Sequence, residues 1–190
     1  ILLSGNGPWG AVMSLGTTRD WKTFEHHGII FACDNKDVAL FPEKINGRYC
    51  CFHRPSGVYF GGNDMWLAYS DDLLCWGQHV LLMQRRPDMW DSARIGCGPE
   101  PIKTADGWLE LYHGSDNTNY YLGAVLLDLD DPSRVLARSA EPLLWPQEEY
   151  EKVGYYNNVV FPHGLIKQTD DLYYLYYGGA DRYTCGCEFS

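Results

Sequence analysis

The sequence predicts an all-β protein, a β-propeller of which this chain holds about three to three and a half four-stranded blades. Two serial patterns and the turns inside them carry that expectation. The first pattern is an extended apolar stretch, a short polar turn and a second, aromatic-rich stretch. It is written as Val38–Ile45 with Arg48–His53, as Gly98–Lys103 with Trp108–His113, and as Val159–Ile166 with Leu172–Tyr177. The copies recur roughly every 60 residues, a spacing typical of radial or stacked arrays. Their turns are Asn46-Gly47, Asp106-Gly107 and Asp170-Asp171. Asn-Gly and Asp-Gly between apolar runs are strong hairpin signals, because type I′ turns need positive φ at both central residues.

The second pattern lies between copies of the first and reads strand, acidic turn, aromatic anchor, strand. Leu15–Phe24 with His27–Ile30 aligns without gaps on Leu67–Trp76 with His79–Leu82, and Leu122–Leu127 through Asp131-Pro132 to Pro142–Leu144 is a looser third copy. Joined, the two patterns make a four-stranded antiparallel unit. Residues 37–83 form one blade and 97–144 another, 158–190 supplies an incomplete blade, and 1–31 the end of one, all within a single partial domain over 1–190. A closed ring takes four or more blades. The expectation is therefore a fragment truncated at both ends, or a chain completed by another.

Composition agrees with a folded β domain: 45% hydrophobic and 15% aromatic residues over 190 positions are ample for a core. A formal charge of −10 argues against nucleic acid as a partner, whose binding depends on clustered Lys and Arg. Arg85-Arg86 is the only basic doublet and reads as a solvated turn. No apolar run approaches the roughly 18 residues of a membrane helix, so no membrane partner is expected. Seven cysteines are an odd count and are expected to be mostly buried, reduced thiols, in keeping with a cytoplasmic location. Cys185 and Cys187 share a strand face but make a poor zinc pattern, and no metal is expected. Gly5-Asn6-Gly7-Pro8-Trp9-Gly10 fits the spacing of a dinucleotide fingerprint, yet it contains a proline and runs into a strand-like stretch, so it reads as a turn between strands.

In a propeller the first strand of each blade lines the axis, and polar residues at its start face a central pocket. Those stretches are Asp34-Asn35-Lys36-Asp37, Asp91-Ser92-Ala93-Arg94-Ile95-Gly96 and Tyr155-Tyr156-Asn157-Asn158. A second set closes the second strands: His53-Arg54-Pro55, His113-Gly114-Ser115 and Gly178-Gly179-Ala180-Asp181. Clustered Asn, Asp, Arg and Lys suit hydroxyl-rich or anionic ligands, and Arg with His offers several N–H donors to one anion. Paired carboxylates would mark a glycosidase, with Asp37, Glu43, Asp91, Glu100, Glu110, Asp116 and Asp181 as candidates. Glu100 stands out, since an acid on an inner strand is costly unless paired or functional.

At these residues the chain resembles glycoside hydrolase family 130, the β-mannoside phosphorylases and related β-mannosidases. The motifs are Asn35–Ile45, His53-Arg54-Pro55, Trp90-Asp91-Ser92 with Ile95-Gly96, Pro101–Thr104, Tyr112-His113-Gly114, Leu126–Ser133, Asn158–Pro162 and Tyr176–Asp181. The resemblance implies a five-bladed β-propeller that phosphorolyses a terminal β-mannosyl linkage with inversion, giving mannose 1-phosphate. Inorganic phosphate is then a co-substrate, and no cofactor is implied. Carried over by motif, Arg54 and His113, with Lys36 and Arg94, are assigned to phosphate; Asp181, Asp37, Asn35 and Asn158 are assigned to the sugar. The family's proton-donating Asp belongs to an acidic motif expected upstream of Ile1, so no residue of this chain is assigned as catalytic acid. Gly98-Pro99-Glu100-Pro101 departs from the family's Ala-Pro-Pro type of sequence, which leaves a mannosidase with Glu100 as base, or a non-catalytic carbohydrate-binding propeller, as alternatives. Exposed sheet faces of a partial ring would favour homo-oligomers.

Overall fold

The structure is a computed structural model that describes residues 1–57, 62–169 and 172–190. The chain divides into two compact units, Ile1–Gln84 and Arg85–Ser190. All sheets are antiparallel and follow chain order, which gives an all-β fold of the β-propeller class.

The first unit opens with β1 (Leu2–Gly7), β2 (Gly10–Thr17) and β3 (Glu25–Phe31) in that order. Its second sheet is β4 (Asn35–Leu40), β5 (Tyr49–Pro55), β6 (Met65–Ser70) and β7 (Trp76–Met83). Alternate side chains of β2 turn inward, so Ala11, Met13 and Leu15 are buried. Met13 and Phe31 meet Cys51 and Ala68 in the core between the sheets, with Leu2, Val38 and Trp76 against them. Strand β5 is covered on both faces, and Cys50 through Arg54 are all buried, which accounts for the consecutive Cys50, Cys51 and Phe52 without polar alternation.

The second unit has β8 (Arg94–Cys97) and β9 (Ile102–Lys103) sharing the partner β10 (Trp108–Ser115), followed by β11 (Tyr120–Leu127) and β12 (Val135–Arg138). A four-residue helix α1 (Glu149–Lys152) leads into β13 (Val160–Lys167), β14 (Tyr173–Gly179) and β15 (Tyr183–Phe189). Leu111 and Leu122 pack on Leu175 between its two sheets. Trp90 lies so close under Gly114 and Gly123 that a Cβ at either would fall 2.5 and 2.4 Å from its ring. These two glycines are therefore set by packing.

Turn chemistry follows the sequence reading at Asn46-Gly47 and departs from it at Asp106-Gly107, where Gly107 has φ 156° but Asp106 has no positive φ and a four-residue loop separates the paired Lys103 and Trp108. Asn46 and Gly47 take φ of 50° and 82° between the bridged residues Ile45 and Arg48. Thr104 and Gly107 close the second turn, while Asp170-Asp171 lies outside the described residues. The acidic turns of the second pattern share one device. Asp20 accepts the N–H groups of Lys22 and Thr23, Asp72 those of Leu74 and Cys75, and Asp128 those of Asp130 and Asp131. Backbone N–H donors stabilise the ionised form, and all three carboxyls are held below their ordinary range, Asp20 at about 2.

Several expectations change. Asn35, Lys36 and Asp37 do not precede the first strand but begin it, with a bulge between Lys36 and Ala39 and Asp37 at φ 52°. Arg94, Ile95 and Gly96 likewise belong to β8, and Gly98–Pro101 is a break between β8 and β9. Pro99 and Pro101 have no N–H to give the ladder, so pairing stops at Cys97 and resumes at Ile102. The last strand of that sheet is Val135–Arg138 rather than the stretch ending in Pro142–Leu144, of which only Leu144 bridges to Leu122. All seven cysteines are free, but only Cys50, Cys51 and Cys97 are buried; Cys33 and Cys75 are exposed and Cys185 and Cys187 intermediate. Desolvation pushes the Cys50 thiol up to about 12 and Cys51 well above its ordinary value, so these thiols are inert.

Candidate functional site

In the first unit the candidates gather where β4 begins and β5 ends. The register sets Lys36 opposite Arg54 and Asn35 opposite Pro55. Arg54 is 4% exposed, and its guanidinium meets the Asp37 carboxylate at 2.6 Å. The bulge and the left-handed backbone at Asp37 aim that carboxylate at a residue of the neighbouring strand. Lys36 is half-buried, the more open of the two cations.

Alternation along β5 sends His53 to the other face. Its ring stacks on Phe31 at 4.8 Å, Asn35 Nδ2 donates to His53 Nδ1 at 3.0 Å, and His53 Nε2 and His79 Nδ1 share a hydrogen bond of 3.1 Å. Such a chain requires a neutral imidazole at its centre. Burial, with the His79 ring beside it, lowers the His53 pKa to about 3, and burial lowers His79 as well.

In the second unit Arg94 donates to the Tyr120 hydroxyl at 2.8 Å. His113, fully buried, directs Nδ1 at the Cys97 carbonyl oxygen 3.2 Å away and packs on Phe161 at 4.3 Å between ring centroids. Tyr120, Tyr156, Val159, Phe161 and Asp181 line a cavity of about 110 Å³. Asp181 is exposed there, at φ 52°. Asn158, at φ 59°, helps to build the wall through its backbone: its carbonyl accepts the Tyr120 N–H at 2.9 Å and its N–H donates to the Lys152 carbonyl. A cavity with tyrosine and phenylalanine walls and a carboxylate at its mouth suits a polyol, whose C–H faces pack on rings while its hydroxyls find acceptors.

The carboxylates sort differently from their sequence ranking. Glu100 lies exposed in the break between β8 and β9, so its position needs no partner. Glu110, the third residue of β10, is enclosed instead. It is fully buried, one oxygen accepts the Gly98 N–H at 2.9 Å, and desolvation raises its pKa well above the ordinary value. Asp91 is buried in an ion cluster with Arg86 and Arg138. Glu151 of α1, absent from the sequence candidates, is 3% exposed and accepts the N–H groups of Gln147 and Glu148 and the Tyr177 hydroxyl. The capping-box spacing Glu148–Glu151 was the signal that could have found it. Among the described residues no group of three or more His, Cys, Asp and Glu could hold a metal ion, and no helix is long and apolar enough to cross a membrane.

Comparison with known proteins matches residues 1–189 to a family described as beta-1,4-mannooligosaccharide phosphorylase. A beta-1,2-mannobiose phosphorylase of Listeria innocua is 49% identical over 189 residues, 99% of this chain and 53% of that protein. The solved structure of a Listeria innocua beta-1,2-mannobiose phosphorylase in complex with beta-1,2-mannobiose superposes with a TM-score of 0.95 at 46% identity, covering 98% of this chain and 53% of that one. A structure from work on glycoside hydrolases of the GH130 family that target beta-1,2 mannosidic linkages in Candida mannan gives a TM-score of 0.86 at 26% identity, covering all of this chain and 60% of its own. The chain spans about half the length of the curated relatives it matches. With the family model matched almost end to end and close relatives over the same residues, the chain belongs to glycoside hydrolase family 130.

Proposed function

We propose that this chain serves an inverting glycoside phosphorylase that cleaves a terminal β-mannosidic linkage with inorganic phosphate. A phosphate oxygen attacks the anomeric carbon from the face opposite the leaving group. The glycosidic C–O bond breaks, the leaving oxygen takes a proton, and the products are mannose 1-phosphate and the shortened sugar. The observation that carries the reading is 49% identity to a beta-1,2-mannobiose phosphorylase over nearly the whole chain, against 26% to the structure from the hydrolase work. Identity of 49% to the beta-1,2-mannobiose phosphorylase, against 41% to a beta-1,4-mannooligosaccharide phosphorylase of Ruminococcus albus, favours the β-1,2 linkage. Arg54, Lys36, His113 and Arg94 are assigned to phosphate, and Asn35, Asp37, Asn158 and Asp181 to the mannosyl group.

The test is phosphorolysis of β-1,2-mannobiose by the full-length protein, with and without phosphate. Mannose 1-phosphate formed only with phosphate is the expected result. Release of free mannose without phosphate would mean the hydrolase of the same family, a reading that the match to the Candida mannan work keeps in view. Sugar binding with no turnover would mean a carbohydrate-binding propeller.

Arg54→Lys keeps the charge beside Asp37 but loses the planar fork that grips an anion through two bonds. A charge-assisted hydrogen bond contributes about 1.5–3 kcal/mol, so the phosphate KM should rise roughly 10- to 100-fold while the sugar KM stays near wild type. A phosphate KM within twofold of wild type would remove Arg54 from the anion site.

A further inference from the structure

The most exposed indole of the first unit stands on the β1–β2 turn, beside the polar cluster at the start of β4. Gly7 and Gly10 are the last paired residues of that hairpin, so the loop is Pro8-Trp9. Two-residue hairpin loops ordinarily carry Asn-Gly or Gly-x, with positive φ at the central positions. Pro8 cannot adopt such a φ, and Gly10, at φ 119°, takes up the mismatch. The tip is nonetheless firmly held. The Ala11 N–H donates to Asp34 Oδ1 at 2.8 Å, and Gly10 sits so close to Asp34 that a Cβ would lie 3.0 Å from its carboxyl carbon. Asp34 is followed by Asn35, and its carbonyl accepts the Ser56 N–H at 2.9 Å, two residues past Arg54. The turn is thus tied to the end of the unit that carries Asn35, Lys36 and Arg54. Yet Trp9 itself is 86% exposed and contributes almost nothing to the core. Tryptophan is among the best-covered side chains on average, so a rigidly mounted, solvent-facing indole is a surface prepared for a ligand.

We propose that Trp9 is the platform on which the sugar on the leaving-group side of the scissile bond stacks, and so a specificity-determining residue for the acceptor. The proposal rests on the phosphorylase reading. The mannosyl ring and phosphate must be enclosed for chemistry, whereas an indole this open can serve only a ring that reaches solvent. Stacking on the C–H face of a pyranose uses the ring's area without a directional bond, so the contact tolerates chain length while demanding a sugar.

The experiment is kinetics of Trp9→Ala and Trp9→Phe in the full-length protein, with calorimetric titration of β-1,2-mannobiose in the absence of phosphate. The expected result is an acceptor-mannose KM in synthesis from mannose 1-phosphate raised about tenfold in the Ala variant, largely restored in Phe, with phosphate KM within twofold of wild type. Unchanged acceptor KM, or an equal rise in phosphate KM, overturns the proposal. Calorimetry separates it from the phosphorylase reading, since binding needs no turnover. If mannobiose binds without being phosphorolysed, a tenfold weaker Trp9→Ala supports the platform and an unchanged affinity overturns it. No mannobiose binding by the wild type overturns both.

Discussion

Asp91→Ala is expected to destabilise the protein by about 3–5 kcal/mol, the range for removing one partner of a buried ion cluster. The Asp91 carboxylate is fully buried. It accepts Arg86 Nε at 3.0 and 3.1 Å, Arg86 Nη2 at 2.8 Å, the Tyr112 hydroxyl at 2.9 Å, and Arg138 Nη2. Arg138 Nε in turn donates to the Tyr112 hydroxyl, and the guanidinium groups lie over the rings of Trp90 and Tyr112. Without the anion, two arginines face each other in a largely desolvated space, and the ring stack that fixes Trp90 beneath Gly114 and Gly123 loses its anchor. Asp91→Asn keeps the shape but not the charge and should cost a smaller part of the same loss. Urea denaturation of the three proteins measures it. A loss below about 1 kcal/mol for the Ala variant would mean that the cluster is not a structural anchor.

The pH dependence of stability should show two buried groups working against each other. His53, 2% exposed, titrates near 3 when folded and near 6.5 when unfolded. Between those values the unfolded chain binds the extra proton, so its contribution is present above pH 6.5 and is lost as pH falls toward 3. Glu110 has the opposite sign. Its folded pKa lies well above 4.5, so above pH 4.5 the unfolded chain gives up a proton that the folded protein keeps, and its contribution is lost as pH rises. Above pH 4.5 the two slopes act with opposite sign, each at most about 1.4 kcal/mol per pH unit, so they offset each other. Removing one exposes the other. Relative to wild type, His53→Gln should gain stability on acidification below pH 6.5, by up to about 1.4 kcal/mol per unit, and Glu110→Gln should lose stability on acidification toward pH 4.5. His79 and His163 are shifted in the same direction as His53 but are common to all three proteins. The turn carboxylates Asp20, Asp72 and Asp128 titrate below this window. Parallel denaturation profiles for wild type and both variants would contradict the assignment.

The strand order was legible because hairpin rules are local. Asn46-Gly47 and the alternation along β2 act over a few residues, and so do the acidic turns, which use their own backbone. Strand edges were less legible. Asn35–Asp37 and Arg94–Gly96 look like polar lead-ins, yet each pairs with a buried neighbour, and only the bulge at Asp37 and the prolines after Cys97 decide where pairing stops. Site residues were legible by type and motif, not by environment. Alternation puts Arg54 and His53 on opposite faces of β5, but nothing local says that one face meets Asp37 and the other Phe31, Asn35 and His79.

The amino-acid sequence alone determined the all-β class, the serial antiparallel sheets, the Asn46-Gly47 turn and the acidic turns, and the family to which the chain belongs, because strand period and turn conformation are properties of neighbouring residues. Tertiary structure decided which ionisable groups are enclosed. Glu100 and Glu110 are ten residues apart and chemically identical, but the first is exposed in a proline-broken stretch and the second is buried on β10. A carboxyl's charge depends on how much water can reach it, and that is set by packing from strands distant in the chain.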